Sequence, residues 1–279
     1  MKLKVLVAAA LVIVTAGVAA AQFGRFPGGG FGGFRRFPPR YPKAESFGHG
    51  FNFCRAIYTS TRAEAGGQGW GTDYPDADLN FSIRLSELTR TRVSMENSGR
   101  PDYLTVRLTD ESLFQCPYVH MEDVGTVTFT EREVEALREY FLKGGFMWVD
   151  DFWGSYAWEQ WVSEISRVLP PSEYPIRDIT PEHPLMKMQY EIKEFPQIPS
   201  IQAWRGNPSE TSERGYDSAE PHLRAISDRH GNIMVLMTHN TDISDTWERE
   251  GEEPRTYFDI FSPTGYAIGV NVVTYAMIH

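Results

Sequence analysis

The segment GGFMWVDDFWG at residues 144–154 carries the pattern on which the fold prediction rests. Two glycines are typical of a helix end, and the apolar run at 146–149 is typical of a buried strand. The residues at 155–168 then have the apolar spacing of an amphipathic helix. Asp150 and Asp151 stand between the run and that helix. The segment therefore predicts a strand, an acidic turn and a helix, in that order.

The same alternation of strands and helices is predicted on both sides of this segment. Predicted strands lie at 51–58, 103–108, 118–121, 146–149, 225–227 and 233–237, and predicted helices at 78–93, 130–143, 155–168 and 267–279. The β-branched content of the last segment leaves a strand as its alternative. Alternating elements favour an α/β three-layer sandwich, with a mostly parallel, flavodoxin-like sheet and helices on both faces.

The first 45 residues have the composition of a leader and a tether. Residues 1–21 combine two lysines, an apolar stretch and a final Ala-Ala-Ala, which predicts a secretory signal peptide cleaved before Gln22. Residues 22–45 are rich in Gly, Phe, Arg and Pro without a strand or helix period, which predicts a flexible tether. The alternative is a basic, aromatic segment that grips an anionic envelope surface. We expect an exported protein, periplasmic or extracellular, with no transmembrane segment in the mature chain.

Residues 46–279 are predicted to form one acidic domain. Seven of the 27 Lys and Arg and one of the 37 Asp and Glu precede Ser46, which leaves 20 basic and 36 acidic side chains in the domain. This charge is a poor match for nucleic-acid phosphates, so we expect no nucleic-acid partner. Cys54 and Cys116 lack a metal-ligand spacing, and an oxidising compartment would permit a disulfide between them. Two buried free thiols are the alternative.

Three polar segments follow predicted strands: GWGTDYPDADLNF at 69–81, the aspartates at 150–151, and THNTD at 238–242. Because right-handed crossovers bring the carboxyl ends of parallel strands to one edge, we expect these segments to form one site. The candidate catalytic residues are Asp150, Asp151 and His239, and the candidate ligand-binding residues are Trp70, Asp73, Tyr74, Trp153, Asn240 and Asp242. The alternative is that each aspartate caps its own helix, and Asp78 in particular is expected to be an N-cap.

The residue types at this site suit more than one chemistry. A carboxylate beside a histidine suits general acid–base catalysis, and aromatic faces beside carboxylates suit sugar rings or cationic groups. Core packing is the alternative explanation for any single tryptophan. The histidines and carboxylates match no recognised metal motif, so neither a metal nor another cofactor is predicted.

Five segments together carry a family resemblance: GWGTDYPDADLNF, RLTDESLF, GGFMWVDDFWG, HGNIMVLMTHNTD and GVNVVTYAMIH. From about Phe51 to His279 the chain resembles the bacterial family called domain of unknown function 4159. The resemblance implies membership of the class I glutamine-amidotransferase-like superfamily, and with it the flavodoxin-like fold. It also implies an envelope or assembly role, because relatives often accompany MoxR-type ATPases and von Willebrand factor A proteins.

Glutaminase activity is not expected from these residues. It needs a cysteine nucleophile on a sharp strand-to-helix turn beside a histidine, and both cysteines are expected at the opposite end of the sheet. We therefore predict a binding protein of the cell envelope whose partner is an unknown small molecule, a glycan or an envelope protein. The alternative is a hydrolase in which Asp150 or Asp151 works with His239, with or without a divalent ion.

Overall fold

The computed structural model describes residues 37–278, which contain nine strands and six α-helices. The strands are β1 (Phe53–Ile57), β2 (Thr59–Ser60), β3 (Tyr103–Arg107), β4 (Tyr118–Glu122), β5 (Val127–Thr128), β6 (Phe146–Phe152), β7 (Arg177–Asp178), β8 (His222–Ser227) and β9 (Ile233–His239). The helices are α1 (Asp76–Leu88), α2 (Glu131–Leu142), α3 (Gly154–Val168), α4 (Ile201–Gly206), α5 (Asp245–Glu248) and α6 (Arg255–Ile278).

Seven strands form one mixed sheet in the order β3-β1-β4-β6-β9-β8-β7. The first five are parallel to one another, and β8 and β7 add an antiparallel edge. In chain order the parallel strands follow the sequence 2-1-3-4-5, which is the strand order of flavodoxin-like folds. The short strands β2 and β5 pair separately. The predicted α/β three-layer sandwich with a mostly parallel sheet is confirmed.

Helices cover both faces of the sheet because neighbouring residues in each strand point to opposite faces. In β6, Val149 packs into the core beneath α2 and α3, and Trp148 packs into the core beneath α1 and α6. Trp161 of α3 and Phe81 of α1 are fully buried, one in each core. Burial of an aromatic or aliphatic side chain of this size stabilises the fold by roughly 1.5–3 kcal/mol.

The helix boundaries follow local capping chemistry in some places and not in others. The predicted capping box at Thr130 is confirmed, because Thr130 Oγ1 accepts from the Glu133 N–H and the Glu133 carboxylate accepts from the Thr130 N–H. The predicted N-cap role of Asp78 is wrong. Helix α1 begins at Asp76, so Asp78 lies in its first turn, fully buried against Arg55. The C-terminal segment is helical as predicted.

Strand β6 is longer than predicted and irregular at its end. It continues through Asp150 and Asp151 to Phe152, and its pairing with β9 shifts register between Val149 and Phe152. Asp151 has φ of 51° within this irregularity. The two aspartates predicted to follow the strand therefore lie inside it, on a locally distorted backbone.

The predicted signal peptide and residues 22–36 of the predicted tether lie outside the described residues. The described part of that tether contacts the rest of the chain: the Thr105 N–H donates to the Arg40 carbonyl at 2.8 Å, and the Tyr74 hydroxyl donates to the Pro38 carbonyl at 3.1 Å. Arg40 also forms an ion pair with Asp102 at 2.6 Å. Within residues 37–278, no helix combines the length and apolar composition that crossing a membrane requires.

Cys54 and Cys116 form a disulfide, with their Cα atoms 6.1 Å apart. Cys54 lies near the amino end of β1, and Cys116 precedes β4 by two residues. The bridge closes a loop of 62 residues. In the chain-entropy model, closing a loop of that length stabilises the fold by about 4 kcal/mol.

Candidate functional site

Four residues other than glycine have left-handed backbone conformations among residues 37–278, and all four are Asp or Asn. Asp123 and Asn240 directly follow β4 and β9, Asp151 lies near the end of β6, and Asp73 lies in the loop between β2 and α1. Asp and Asn tolerate this conformation best among residues with a side chain, and each such residue still costs roughly 1–3 kcal/mol. The carboxyl edge of the sheet therefore concentrates backbone strain.

Three carboxylates converge at this edge. Asp73, Asp151 and Asp242 each place one carboxylate oxygen within 4.8 Å of the oxygens of the other two. They come from the three segments that the sequence predicted to share a site. Asp73 and Asp242 are 6% and 2% exposed, and Asp151 is partly buried. We call Asp73, Asp151 and Asp242 the aspartate triad.

The environment of the triad favours the neutral form of each carboxyl group. Burial raises the pKa of Asp73, Asp151 and Asp242 well above the usual range, and the negative charges of neighbouring carboxylates raise it further. Among the described residues, no Lys or Arg forms an ion pair with any of the three. Protonation or a bound cation would relieve the repulsion among these carboxylates.

The protein donates few hydrogen bonds to the triad. Asp151 Oδ1 accepts from the Trp153 indole N–H at 2.8 Å, and Asp242 Oδ1 accepts from the Asp245 N–H at 2.8 Å. Asp73 Oδ2 is buried and has no hydrogen-bond partner in the described structure. An unsatisfied buried polar group costs about 1–3 kcal/mol, so this oxygen indicates a missing partner.

Asp150 differs from the triad because both of its carboxylate oxygens accept hydrogen bonds from the protein. Its carboxylate accepts from the Thr238 hydroxyl, from the Ile243 N–H at 2.9 Å, and from the Ser244 N–H and hydroxyl at 3.0 and 3.1 Å. Burial raises its pKa to about 7, with a further contribution from Glu122. These contacts hold the loop that contains Asp242 against β6, so Asp150 positions the triad.

His239 and Asn240 contact Gly154 and support the turn before α3. His239 Nε2 pairs with the Gly154 carbonyl at 3.1 Å, and its ring lies 4.9 and 5.1 Å from the rings of Phe152 and Trp158. Burial lowers the pKa of His239 to about 4, so it is neutral near pH 7. Asn240 Oδ1 accepts from the Gly154 N–H at 2.8 Å. His239, which was predicted to be a catalytic partner of an aspartate, thus contacts Gly154, Phe152 and Trp158.

The aromatic residues predicted to bind a ligand pack against the protein itself. The ring of Trp70 lies 5.4 Å from that of Tyr74, which lies 5.8 Å from that of Tyr103. Tyr74 is 7% exposed and Trp153 is 5% exposed. Such burial leaves little of the Tyr74 and Trp153 rings open to a ligand, whereas Trp70 is only partly buried.

Two further carboxylates, which the sequence interpretation missed, lie beside the triad. Asp245 and Glu248 each place a carboxylate oxygen within 4.8 Å of one from Asp73 and of one another. Arg249 contacts both, with its Nε 3.9 Å from Asp245 Oδ1 and 2.5 Å from Glu248 Oε2. Asp242, Asp245 and Glu248 recur every third residue, which is the spacing of one helical face. That spacing was the feature of the sequence from which Asp245 and Glu248 could have been predicted to join the site.

A buried ionic network lies close to the triad. The Arg55 guanidinium donates to Asp78 Oδ1 at 3.0 Å and to the Thr72 carbonyl at 2.8 Å, next to Asp73. Glu122 Oε1 lies 3.7 Å from Arg55 and hydrogen-bonds to His120. Burial raises the pKa of Glu122 to about 7 and lowers that of His120 to about 3. His120 belongs to this network and is fully buried.

Two cavities of the described structure are lined by residues outside the triad. One of about 520 Å³ is bordered by residues 144–146 and 228–230, and one of about 730 Å³ lies between α1 and the start of α6. The triad, by contrast, consists of buried or partly buried side chains. Its dimensions match an ion with coordinating oxygens better than a drug-sized molecule.

Comparison with known proteins places this site within a family. A search of curated proteins finds no match to the chain. The sequence model of the family described as "Domain of unknown function (DUF4159)" matches residues 58–277, a range that contains the triad together with Asp245 and Glu248. Since the match covers most of the chain, the protein belongs to the DUF4159 family.

Proposed function

We propose that this protein is an exported domain of the cell envelope that binds a divalent cation through Asp73, Asp151 and Asp242. One observation carries the proposal: three carboxylates within 4.8 Å of one another have no basic partner among the described residues, and Asp73 Oδ2 is buried without a donor. Bringing like charges together in a buried site is costly unless a cation compensates them.

The chemistry of the ligand atoms indicates which cations would bind. All three ligands are carboxylate oxygens, which suit the hard cations Mg²⁺, Mn²⁺ and Ca²⁺ better than softer ions. The Trp153 indole and the Asp245 N–H each hold one oxygen of a triad carboxylate and leave the other available. Donors of this kind orient the ligands of metal sites and tune their affinity.

We further propose that the protein is a member of the class I glutamine-amidotransferase-like superfamily without glutaminase activity. The strand order of the parallel sheet supports the placement. Asp151 has a left-handed backbone near the end of β6, just before α3, where a nucleophilic cysteine would be needed. Both cysteines are joined in a disulfide near the amino ends of β1 and β4. A thiol nucleophile is therefore missing from residues 37–278.

The biological role in this proposal is recognition in the envelope. A bound cation would present open coordination positions to an oxygen-rich small molecule, glycan or envelope protein, including components associated with MoxR-type ATPases. Export rests on the leader-like residues 1–21. The hydrolase alternative has less geometric support, because His239 hydrogen-bonds to Gly154 and the oxygens of Asp150 already accept from the protein.

Calorimetric titration of the chelator-treated chain from Gln22 with MnCl₂ tests the proposal. We expect saturable binding that Asp73→Asn weakens at least tenfold. The matched control is Asp259→Asn, because Asp259 is an exposed aspartate on α6 whose side chain is 65% exposed. Absence of Mn²⁺ binding, or equal affinity in wild type and Asp73→Asn, would refute the cation site. A hydrolase activity that His239→Ala abolishes would favour the alternative.

A further inference from the structure

We propose that this edge of the sheet binds two divalent cations, bridged by the carboxylate of Asp73. The inference rests on the proposed function and extends it from one ion to two. The second position is formed by Asp73, Asp245 and Glu248. We call the five carboxylates of the two positions the acidic centre: Asp73, Asp151, Asp242, Asp245 and Glu248.

The arrangement of oxygens defines two overlapping groups of ligands. Asp73, Asp151 and Asp242 form one group, Asp73, Asp245 and Glu248 form the other, and within each group the oxygens lie within 4.8 Å of one another. Asp73 is the member that both groups share. A carboxylate has two oxygens and can serve one cation with each, and paired metal sites of this kind hold their ions about 3.5–4 Å apart.

The hydrogen bonds at the acidic centre distinguish Asp73 and Glu248 from the other three carboxylates, because Asp73 Oδ2 and Glu248 Oε2 are buried without a hydrogen-bond partner. Asp245 Oδ2 accepts from the Ile201 N–H at 2.7 Å, as Asp151 and Asp242 each accept one bond from the protein. Asp73 Oδ2 accepts none, although the residue is 6% exposed. Three ligands are thus oriented by the fold through one oxygen, and the shared carboxylate keeps a buried oxygen for a ligand.

The charge of the acidic centre indicates the number of ions. Its five carboxylates carry five negative charges when ionised. Among residues 37–278 only Arg249 forms ion pairs with them, through Asp245 and Glu248. Four negative charges remain while Arg249 stays paired and five remain when it is displaced, and a single divalent cation would compensate only two of them.

Arg249 occupies a position from which it could yield to the second cation. Its side chain is 24% exposed, and it also lies near Glu252, whose side chain is 45% exposed. Glu252 can therefore keep the guanidinium paired when a cation binds Glu248. The two cation positions then differ. No basic side chain of the described residues pairs with the triad, whereas a cation at the second position must displace Arg249.

The number of bound Mn²⁺ ions and their magnetic coupling test this inference. In the chelator-treated chain from Gln22, we expect calorimetry to give two Mn²⁺ per chain and low-temperature electron paramagnetic resonance to show an exchange-coupled pair. Glu248→Gln should retain one uncoupled Mn²⁺ with a six-line spectrum, and Asp73→Asn should weaken both sites at least tenfold. Glu139→Gln is the matched control, because Glu139 lies on α2 with its side chain 57% exposed, and this variant should retain two coupled ions.

The possible outcomes separate the inference from the proposed function. One Mn²⁺ per wild-type chain would overturn the second position and leave the first intact, and no bound Mn²⁺ would overturn both. Two uncoupled ions, or two ions still bound in Glu248→Gln, would place the second ion elsewhere and overturn the bridge. If circular dichroism shows that Glu248→Gln does not fold, the stoichiometry and coupling of the wild-type chain decide the matter alone.

Discussion

Asp150 Oδ2 accepts a hydrogen bond from the backbone N–H of Ser244 at 3.0 Å, and this contact joins the end of β6 to the loop that follows β9. The same oxygen also accepts from the Ser244 hydroxyl at 3.1 Å. Asp242 and Asp245 stand on either side of the residues that this carboxylate holds. The geometry of the acidic centre therefore depends on a carboxylate outside it.

We predict that Asp150→Asn destabilises the fold and weakens Mn²⁺ binding. An amide keeps the shape of the side chain but offers one acceptor oxygen, so either the Thr238 hydroxyl or the donors of Ile243 and Ser244 lose the carboxylate oxygen that they contact. The expected loss of unfolding free energy is about 2–4 kcal/mol. Denaturant unfolding measures it, with Asp259→Asn as the exposed control. Unchanged stability would mean that these hydrogen bonds contribute little to the fold.

We predict that Asp123→Asn becomes more stable relative to the wild type as the pH rises. Burial, which outweighs the Gly69 N–H bond, raises the pKa of Asp123 to about 7. A raised carboxyl pKa stabilises the fold below the unfolded pKa near 4 and loses that contribution as the pH rises through 7. The stability difference between variant and wild type should therefore grow by on the order of 2 kcal/mol between pH 5 and pH 8. Denaturant unfolding across this range would contradict the prediction if the difference stayed constant.

We predict that Asn240→Ala destabilises the protein more than Asn240→Gly. Asn240 has φ of 61°, and its side chain accepts from the Gly154 N–H and donates to the Glu220 carbonyl. Both variants lose these hydrogen bonds, but glycine adopts the left-handed conformation without a steric cost. The Ala variant should be about 1 kcal/mol less stable than the Gly variant. Thermal and denaturant unfolding of the pair would show equal stability if backbone strain were absent here.

We predict a strong coupling between Arg55 and Asp78. Arg55→Met leaves Asp78 and Glu122 buried without their basic partner, which should cost about 3–5 kcal/mol. Combining Arg55→Met with Asp78→Leu should restore part of that loss, because the double variant no longer buries the Asp78 carboxylate. A double-mutant cycle of unfolding free energies measures the coupling. Additive losses from the two single changes would show that the pair acts through separate contacts.

The strand and helix pattern allowed most of the fold to be predicted from the sequence. Apolar runs and helical periodicity are local properties, so they located the strands of the parallel sheet and the capping box at Thr130. They also predicted that the segments containing Asp73, Asp151 and Asp242 each follow an apolar strand and meet at one edge of the sheet. The N-cap assigned to Asp78 failed because the choice between a cap and a buried ion pair depends on Arg55, which lies 23 residues earlier. A lone arginine within the apolar run FCRAI was the available sign that such a partner exists.

The directions of side chains at the strand ends could not be predicted from the sequence. The register shift in β6 and the left-handed backbone at Asp151 determine which neighbouring side chain joins the triad. The same local geometry places His239 against Phe152 and Trp158. Periodicity carries no information about such irregularities. The sequence therefore predicted the neighbourhood of the site without separating the ligands from the residues that support them.

The hydrogen bond between the Thr105 N–H and the Arg40 carbonyl affects how the protein can meet other chains. Strand β3 is one edge of the sheet, and an open edge is a template for pairing with another molecule. The segment before β1 uses a donor of this edge and adds the Arg40–Asp102 ion pair beside it. At the other edge, β7 has only two residues, both charged and exposed. Both edges of the sheet therefore disfavour strand pairing with another copy of the domain. Copies of the domain can then be crowded together without polymerising through their sheet edges.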